Sequence, residues 1–189
     1  MSLHSALEHE HEHGEVDRAT PFDQSLGELD FLRSACALAQ RGQVEKLRSL
    51  LCRRPECLND DGEGGRTGLT PLHYASRAGQ LECVRLLLSL GCDVERRTVE
   101  GGATSLHRAA YCGHADVLQT LLAHGCDAAL QDADGETSLH KASRQGHFHA
   151  TQMLLAACPQ ALALTDRHGL TARDVAQGDA TRCFEALNE

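Results

Sequence analysis

His9, His11 and His13 alternate with glutamates in LEHEHEHGEVD. Imidazoles two residues apart share one face of an extended chain, a spacing able to chelate a divalent metal. Nothing in the flanking residues holds that geometry, and low hydrophobicity with high charge makes residues 1–27 a solvated tail. Metal binding by the tail stands as the alternative. Of the other histidines, His73, His107 and His140 occupy one place in three copies of a single pattern, and His114 and His147 share a second place. Periodicity accounts for both sets without proton transfer. Beyond them no Ser/His/Asp or Cys/His set, P-loop or dinucleotide fingerprint is present. No catalytic residue, metal ligand or cofactor is therefore assigned, and an enzyme is not expected.

The chain has nine cysteines but no C-x-x-C pair. Cys83, Cys92 and Cys126 fall where small apolar residues belong, so the thiols are expected to be reduced and packed, with Cys112 the one to react. A net charge of −9 opposes general nucleic-acid affinity. No run of eighteen apolar residues exists, and the N-terminus lacks a basic flank leading into an apolar core, so a non-secreted protein of the cytoplasm or nucleus is expected. With no Trp and only 3% aromatic residues, Leu and Ala must fill the interior, which suits thin layers of short helices.

What must position the histidines is a repeat. TPLHYASRAG from Thr70, TSLHRAAYCG from Thr104 and TSLHKASRQG from Thr137 recur at spacings of 34 and 33 residues, the mark of a stacked array. In the first copy Thr70 can accept a backbone N–H as helix cap. Pro71 suits the first helical position, Leu72 and Ala75 face inward, and Gly79 supplies the turn. A second helix follows, with Leu81, Val84, Leu87 and Leu88 on one side, and Gly91 ends it. The later copies repeat this, with second helices from Ala115 and Phe148.

Upstream, Leu29, Leu32, Ala35, Cys36 and Ala39 form an apolar stripe ending at Gly42, and laying Gly42 on Gly79 puts Arg33 and Ser34 where Thr70 and Pro71 stand. This is a degenerate first unit, and NDDGEGGRTG after it is an enlarged turn. A truncated last unit starts at His168, with a short helix over 181–187. The expected units are 28–60, 66–98, 99–131, 132–165 and 166–189, forming one domain over 28–189.

G-x-T-P-L-H-x-A-x-x-x-G followed by a Leu-rich helix and G-x-D resembles the ankyrin repeat, and GGATSLHRAAYCGH and DGETSLHKAS resemble small ankyrin-only proteins. The resemblance implies an all-α ankyrin-repeat solenoid of about five helix-turn-helix units with hairpin fingers and a concave face built from fingers and first helices. It also implies that His73, His107 and His140 tie neighbouring repeats by hydrogen bonds to Thr and backbone. Ser105 and Ser138 replace the usual Pro, and Asp93-Val94-Glu95 and Asp127-Ala128-Ala129 replace the D-V-N-A ending.

Positions that vary between copies are released from packing. On the first helices these are Tyr74 with Arg77, Arg108 with Tyr111, and Lys141 with Arg144, three residues apart and so on one face. Stacked, they make a stripe of four cations and two tyrosines, with Arg and Tyr the types enriched in binding hot spots. Arg66, Leu69, Glu100, Ala103, Asp134, Glu136, Arg167 and His168 flank the stripe at the finger tips. The expected function is intracellular protein binding by a monomeric adaptor, scaffold or masking inhibitor. Its partner would be acidic or phosphorylated at the contact. A phosphorylated ligand or RNA on the basic stripe is a further alternative.

Overall fold

The computed structural model describes residues 34–60 and 66–185. The His-rich tail, Leu29, Leu32, half of the enlarged turn (61–65) and residues 186–187 of the expected last helix lie outside the described residues. The helices are α1 (Ala35–Gln40), α2 (Val44–Arg53), α3 (Pro71–Arg77), α4 (Leu81–Ser89), α5 (Ser105–Cys112), α6 (Ala115–Ala123), α7 (Ser138–Arg144), α8 (Phe148–Ala157) and α9 (Thr181–Glu185). None exceeds ten residues. Helices this short are unstable alone in water, so their order comes from stacking.

Within each unit two helices pack as a pair. Between units first helices meet first helices (α1 on α3, α3 on α5, α5 on α7) and second helices meet second helices. Leu47, Leu72, Leu87, Leu106, Leu118, Leu121, Leu139 and Leu154 are all at most 1% exposed and form one continuous core with the small inward residues Ala75, Ala109 and Ala142. Among the described residues the architecture is an all-α repeat solenoid without strands, and no helix is long and apolar enough to cross a membrane.

The turn glycines serve two purposes. Gly79 and Gly113 have φ of 68° and 74°, a region that side chains resist. A Cβ on Gly79 would also lie 2.7 Å from the His114 ring, and one on Gly113 would lie 2.6 Å from the His147 ring. These rings reach back one unit, and each Nε2 faces a carbonyl oxygen, of Arg77 at 3.1 Å for His114 and of Tyr111 at 3.0 Å for His147. That explains the second set of repeated histidines.

The ends depart from the regular pattern. Ser34, not residue 33, caps α1, its hydroxyl accepting the Ala37 N–H at 3.3 Å, so this helix starts one residue later than the glycine alignment puts it. In the last unit the segment after Thr171 makes a single turn, closed by Val175 N–H donating to Thr171 O, before α9.

Candidate functional site

The first set of histidines joins the repeats. In each regular unit the cap Thr backbone N–H donates to Nδ1 of the histidine three residues on: Thr70 to His73 at 3.1 Å, Thr104 to His107 at 3.2 Å and Thr137 to His140 at 3.3 Å. A backbone N–H can only donate, so Nδ1 carries no proton and Nε2 does. That Nε2–H donates forward to the residue just before the next unit's cap, namely Ala103 (3.2 Å), Glu136 (3.1 Å) and Leu170 (3.1 Å). Burial holds the pKa of His73 and His107 down at about 4. A neutral imidazole with both nitrogens committed to structure is unsuited to proton transfer.

The end units keep the place but change the residue. Cys36 fills it in the first unit, its thiol 3.5 Å from the Leu69 carbonyl, the oxygen before the Thr70 cap. In the last unit Asp174 fills it. Its carboxylate accepts the Thr171 backbone N–H and hydroxyl at 2.8 and 2.7 Å, and as an acceptor it makes no forward donation of the kind the histidines make.

Fingers project between the helix pairs and are hydrogen-bonded hairpins. Their closures are Thr98 N–H to Ala103 O at 3.0 Å, Asp132 N–H to Glu136 O at 2.9 Å and Asp166 N–H to Leu170 O at 2.8 Å. Each leans on its predecessor through a backbone bond: Val99 N–H to Thr67 O, Ala133 N–H to Gly101 O and Arg167 N–H to Asp134 O, all 2.9 Å. In the later two fingers an aspartate organises the loop. Asp132 accepts the N–H groups of Asp134 and Glu136, and Asp166 those of His168 and Leu170. In the first of the three Thr98 takes that role, its hydroxyl accepting Ala103 N–H at 3.0 Å.

The six stripe residues all stand on first helices, but their electrostatic states differ. Lys141 binds Asp132 at 2.7 Å and also Glu136, while Arg144 Nε reaches Glu136 at 2.9 Å and its Nη2 lies 3.6 Å from Asp166. Burial opposes the charges of Asp132 and Glu136, but the hydrogen bonds and charge of Lys141 outweigh it and hold both carboxyls below the usual range. These two cations are therefore already neutralised. Among the described residues Arg77 and Arg108 have no ion-pair partner, and Arg108 Nε is shut off from solvent without an acceptor. Arg77 is exposed, Tyr74 half-buried, and Tyr111 53% exposed.

A cavity of about 210 Å³ opens between the two central fingers and helices α5 and α7. Arg108, Tyr111, Lys141, Glu100, Ala103 and Asp134 line it together with Gly101, His107 and Asp132. Six of the residues expected from sequence thus converge. The other flanking residues sit elsewhere. Arg66 and His168 are exposed away from the cavity, Leu69 receives the Cys36 thiol, and Arg167 pairs with Asp134 at 2.6 Å. Ala103 and Glu136 stand at finger bases rather than tips and are buried. Sequence reading missed the Asp132 and Asp166 loop organisers, and it missed Val99, 66% exposed at a finger tip. The aspartates had a signal, since both lie 34 residues from the corresponding place in the preceding unit.

All nine cysteines are free. Cys112 is half-buried, and Cys52, which no pattern singled out, is exposed. Burial pushes the Cys92 thiol up to about 11 and Cys126 to about 12, which keeps both protonated. Among the described residues no group of three or more His, Cys, Asp or Glu is placed to hold a metal.

A curated relative, the probable E3 ubiquitin-protein ligase XBOS32 of Oryza sativa subsp. japonica, is 49% identical over 45 residues, which is 24% of this chain and 8% of the relative. A match to so small a part of the ligase does not establish its activity in this chain. The family model for ankyrin repeats in three copies matches residues 34–132 and 106–187. That range contains every helix pair, finger and histidine link described above, and the chain belongs to the ankyrin repeat family.

Proposed function

We propose that this chain is an intracellular protein-interaction module, an adaptor, scaffold or masking inhibitor. It works as a monomer in the cytoplasm or nucleus and binds its partner through the face made by first helices and fingers. Ankyrin repeats generally mediate protein–protein contact, which carries the coarse part of the reading. One observation carries the finer part. Arg77 and Arg108 stand unpaired on a chain of net charge −9, Arg108 sharing a cavity with Tyr111, whereas Lys141 and Arg144 are already paired from within. An unpaired, partly desolvated guanidinium favours a partner that brings an acid to it.

The test is Arg77→Glu with Arg108→Glu. This double variant should lose the partner at an unchanged melting temperature, and retained capture would refute the face. Arg144 is left intact, because reversing it would break the bond to Glu136 and confound binding with stability.

A further inference from the structure

Two consecutive units differ at one structurally equivalent place. Ala103 and Glu136 are equivalent by three hydrogen-bonded marks: each directly precedes a cap Thr, closes its finger by accepting the hairpin N–H, and receives the histidine Nε2–H of the preceding unit. Asp132 is matched in the same way by Thr98, and Lys141 by Arg108. In the unit of α7 the cation on the helix therefore meets two carboxylates from its own finger. In the unit of α5 those two places hold a hydroxyl and a methyl group, and the cation, Arg108, is left with a buried, unpaired Nε. Ala103, in the place of that Glu, and Arg108 both line the 210 Å³ cavity.

We infer that this cavity takes a single carboxylate side chain, Glu or Asp, from a partner peptide, which completes in trans on Arg108 the ion pair that Glu136 makes in cis with Lys141. The inference rests on the protein-binding reading and names the chemistry recognised. The volume suits one side chain rather than a whole small molecule, for which pockets run from roughly 300 Å³ upward. The acids on its wall do not oppose a monoanion equally. Asp132 is neutralised by Lys141 at 2.7 Å and Asp134 by Arg167 at 2.6 Å, leaving exposed Glu100 as the negative charge at the rim. That rim charge disfavours a dianionic phosphate more than a carboxylate. Tyr111 stands where Arg144 stands in the next unit, so its phenol can donate to the second carboxylate oxygen.

The test uses the full chain and a phage-displayed random peptide library, followed by synthetic peptides with blocked ends. Selected peptides should share one Glu or Asp, and changing it to Gln should weaken Kd at least tenfold. Phosphoserine at that position should bind more weakly than Glu. Two variants should each lose at least tenfold: Arg108→Gln, which removes the cation, and Ala103→Glu, which supplies the carboxylate in cis. Ala103→Glu should melt no lower than wild type, because it restores an arrangement the next unit already uses. Glu100→Gln should retain or tighten binding. Selected peptides with no common acid, or wild-type affinity in Ala103→Glu, would overturn the inference while leaving protein binding by this face intact. Tighter binding of phosphoserine than Glu would overturn the choice of carboxylate. A wild-type chain that selects no peptide would overturn both.

Discussion

Acidification from pH 7 to pH 5 should destabilise this protein by about 4 kcal/mol through two buried histidines alone. His73 and His107 are held near pKa 4, against 6.5 for an unhindered imidazole, because burial and a committed Nδ1 disfavour a second proton. Between those values the unfolded chain binds more protons than the folded one, so stability rises with pH across this window. The stabilisation is fully present above pH 6.5 and is lost as pH falls towards 4. For each histidine the linkage integral from pH 7 to pH 5 is about 2 kcal/mol. That is a large share of the roughly 5–15 kcal/mol by which domains are stable. The assay is urea unfolding followed by circular dichroism at half-unit pH steps. His73→Gln should keep the neutral hydrogen bonds, with the amide oxygen accepting from Thr70 and the amide nitrogen donating to Ala103, while removing about half of the pH slope. Stability that stays flat between pH 7 and pH 5, or a slope unchanged in the His73→Gln, His107→Gln double variant, would refute the neutral-link account.

Below about pH 4.5 a further loss is expected as Asp132 and Glu136 protonate. Their folded pKa values are depressed, so they stabilise above their unfolded values and cease to do so as pH falls. Leu87→Ala and Leu121→Ala, both at fully buried sites, should each cost roughly 2–5 kcal/mol in the same unfolding assay. Gly113→Ala should cost more than about 1 kcal/mol, since it combines positive φ with a contact 2.6 Å from the His147 ring. Glu136→Gln should lower stability by roughly 1–3 kcal/mol, less than the 3–5 of a fully buried pair because Arg144 remains 40% exposed. In thiol labelling of the folded protein Cys52 should react first and Cys112 next, with Cys92 and Cys126 silent until unfolding.

The repeat was legible because its constraints are local and recur. Thr at the cap, His three residues on, inward Ala and turn Gly each answer one steric or hydrogen-bonding need, and three copies in register leave little room for another fold. The end units were harder, because Cys36 and Asp174 perform variants of one task with unrelated residue types. The stripe was legible as a set of positions, since Tyr74, Arg77, Arg108, Tyr111, Lys141 and Arg144 do lie on the first helices. Its charge was not. Whether a cation is available depends on what the adjacent finger supplies, and Asp132 and Glu136 meet Lys141 and Arg144 only after the hairpin closes. Helix periodicity says nothing about that contact.

Whether Arg77 and Arg108, the unpaired cations of the first helices, engage a protein partner is decided by affinity capture from lysate with the wild-type chain beside the Arg77→Glu, Arg108→Glu chain, with matched melts and identification by mass spectrometry. At least one protein should be retained by wild type and absent from the variant. Identical sets of captured proteins would rule out engagement through these two arginines.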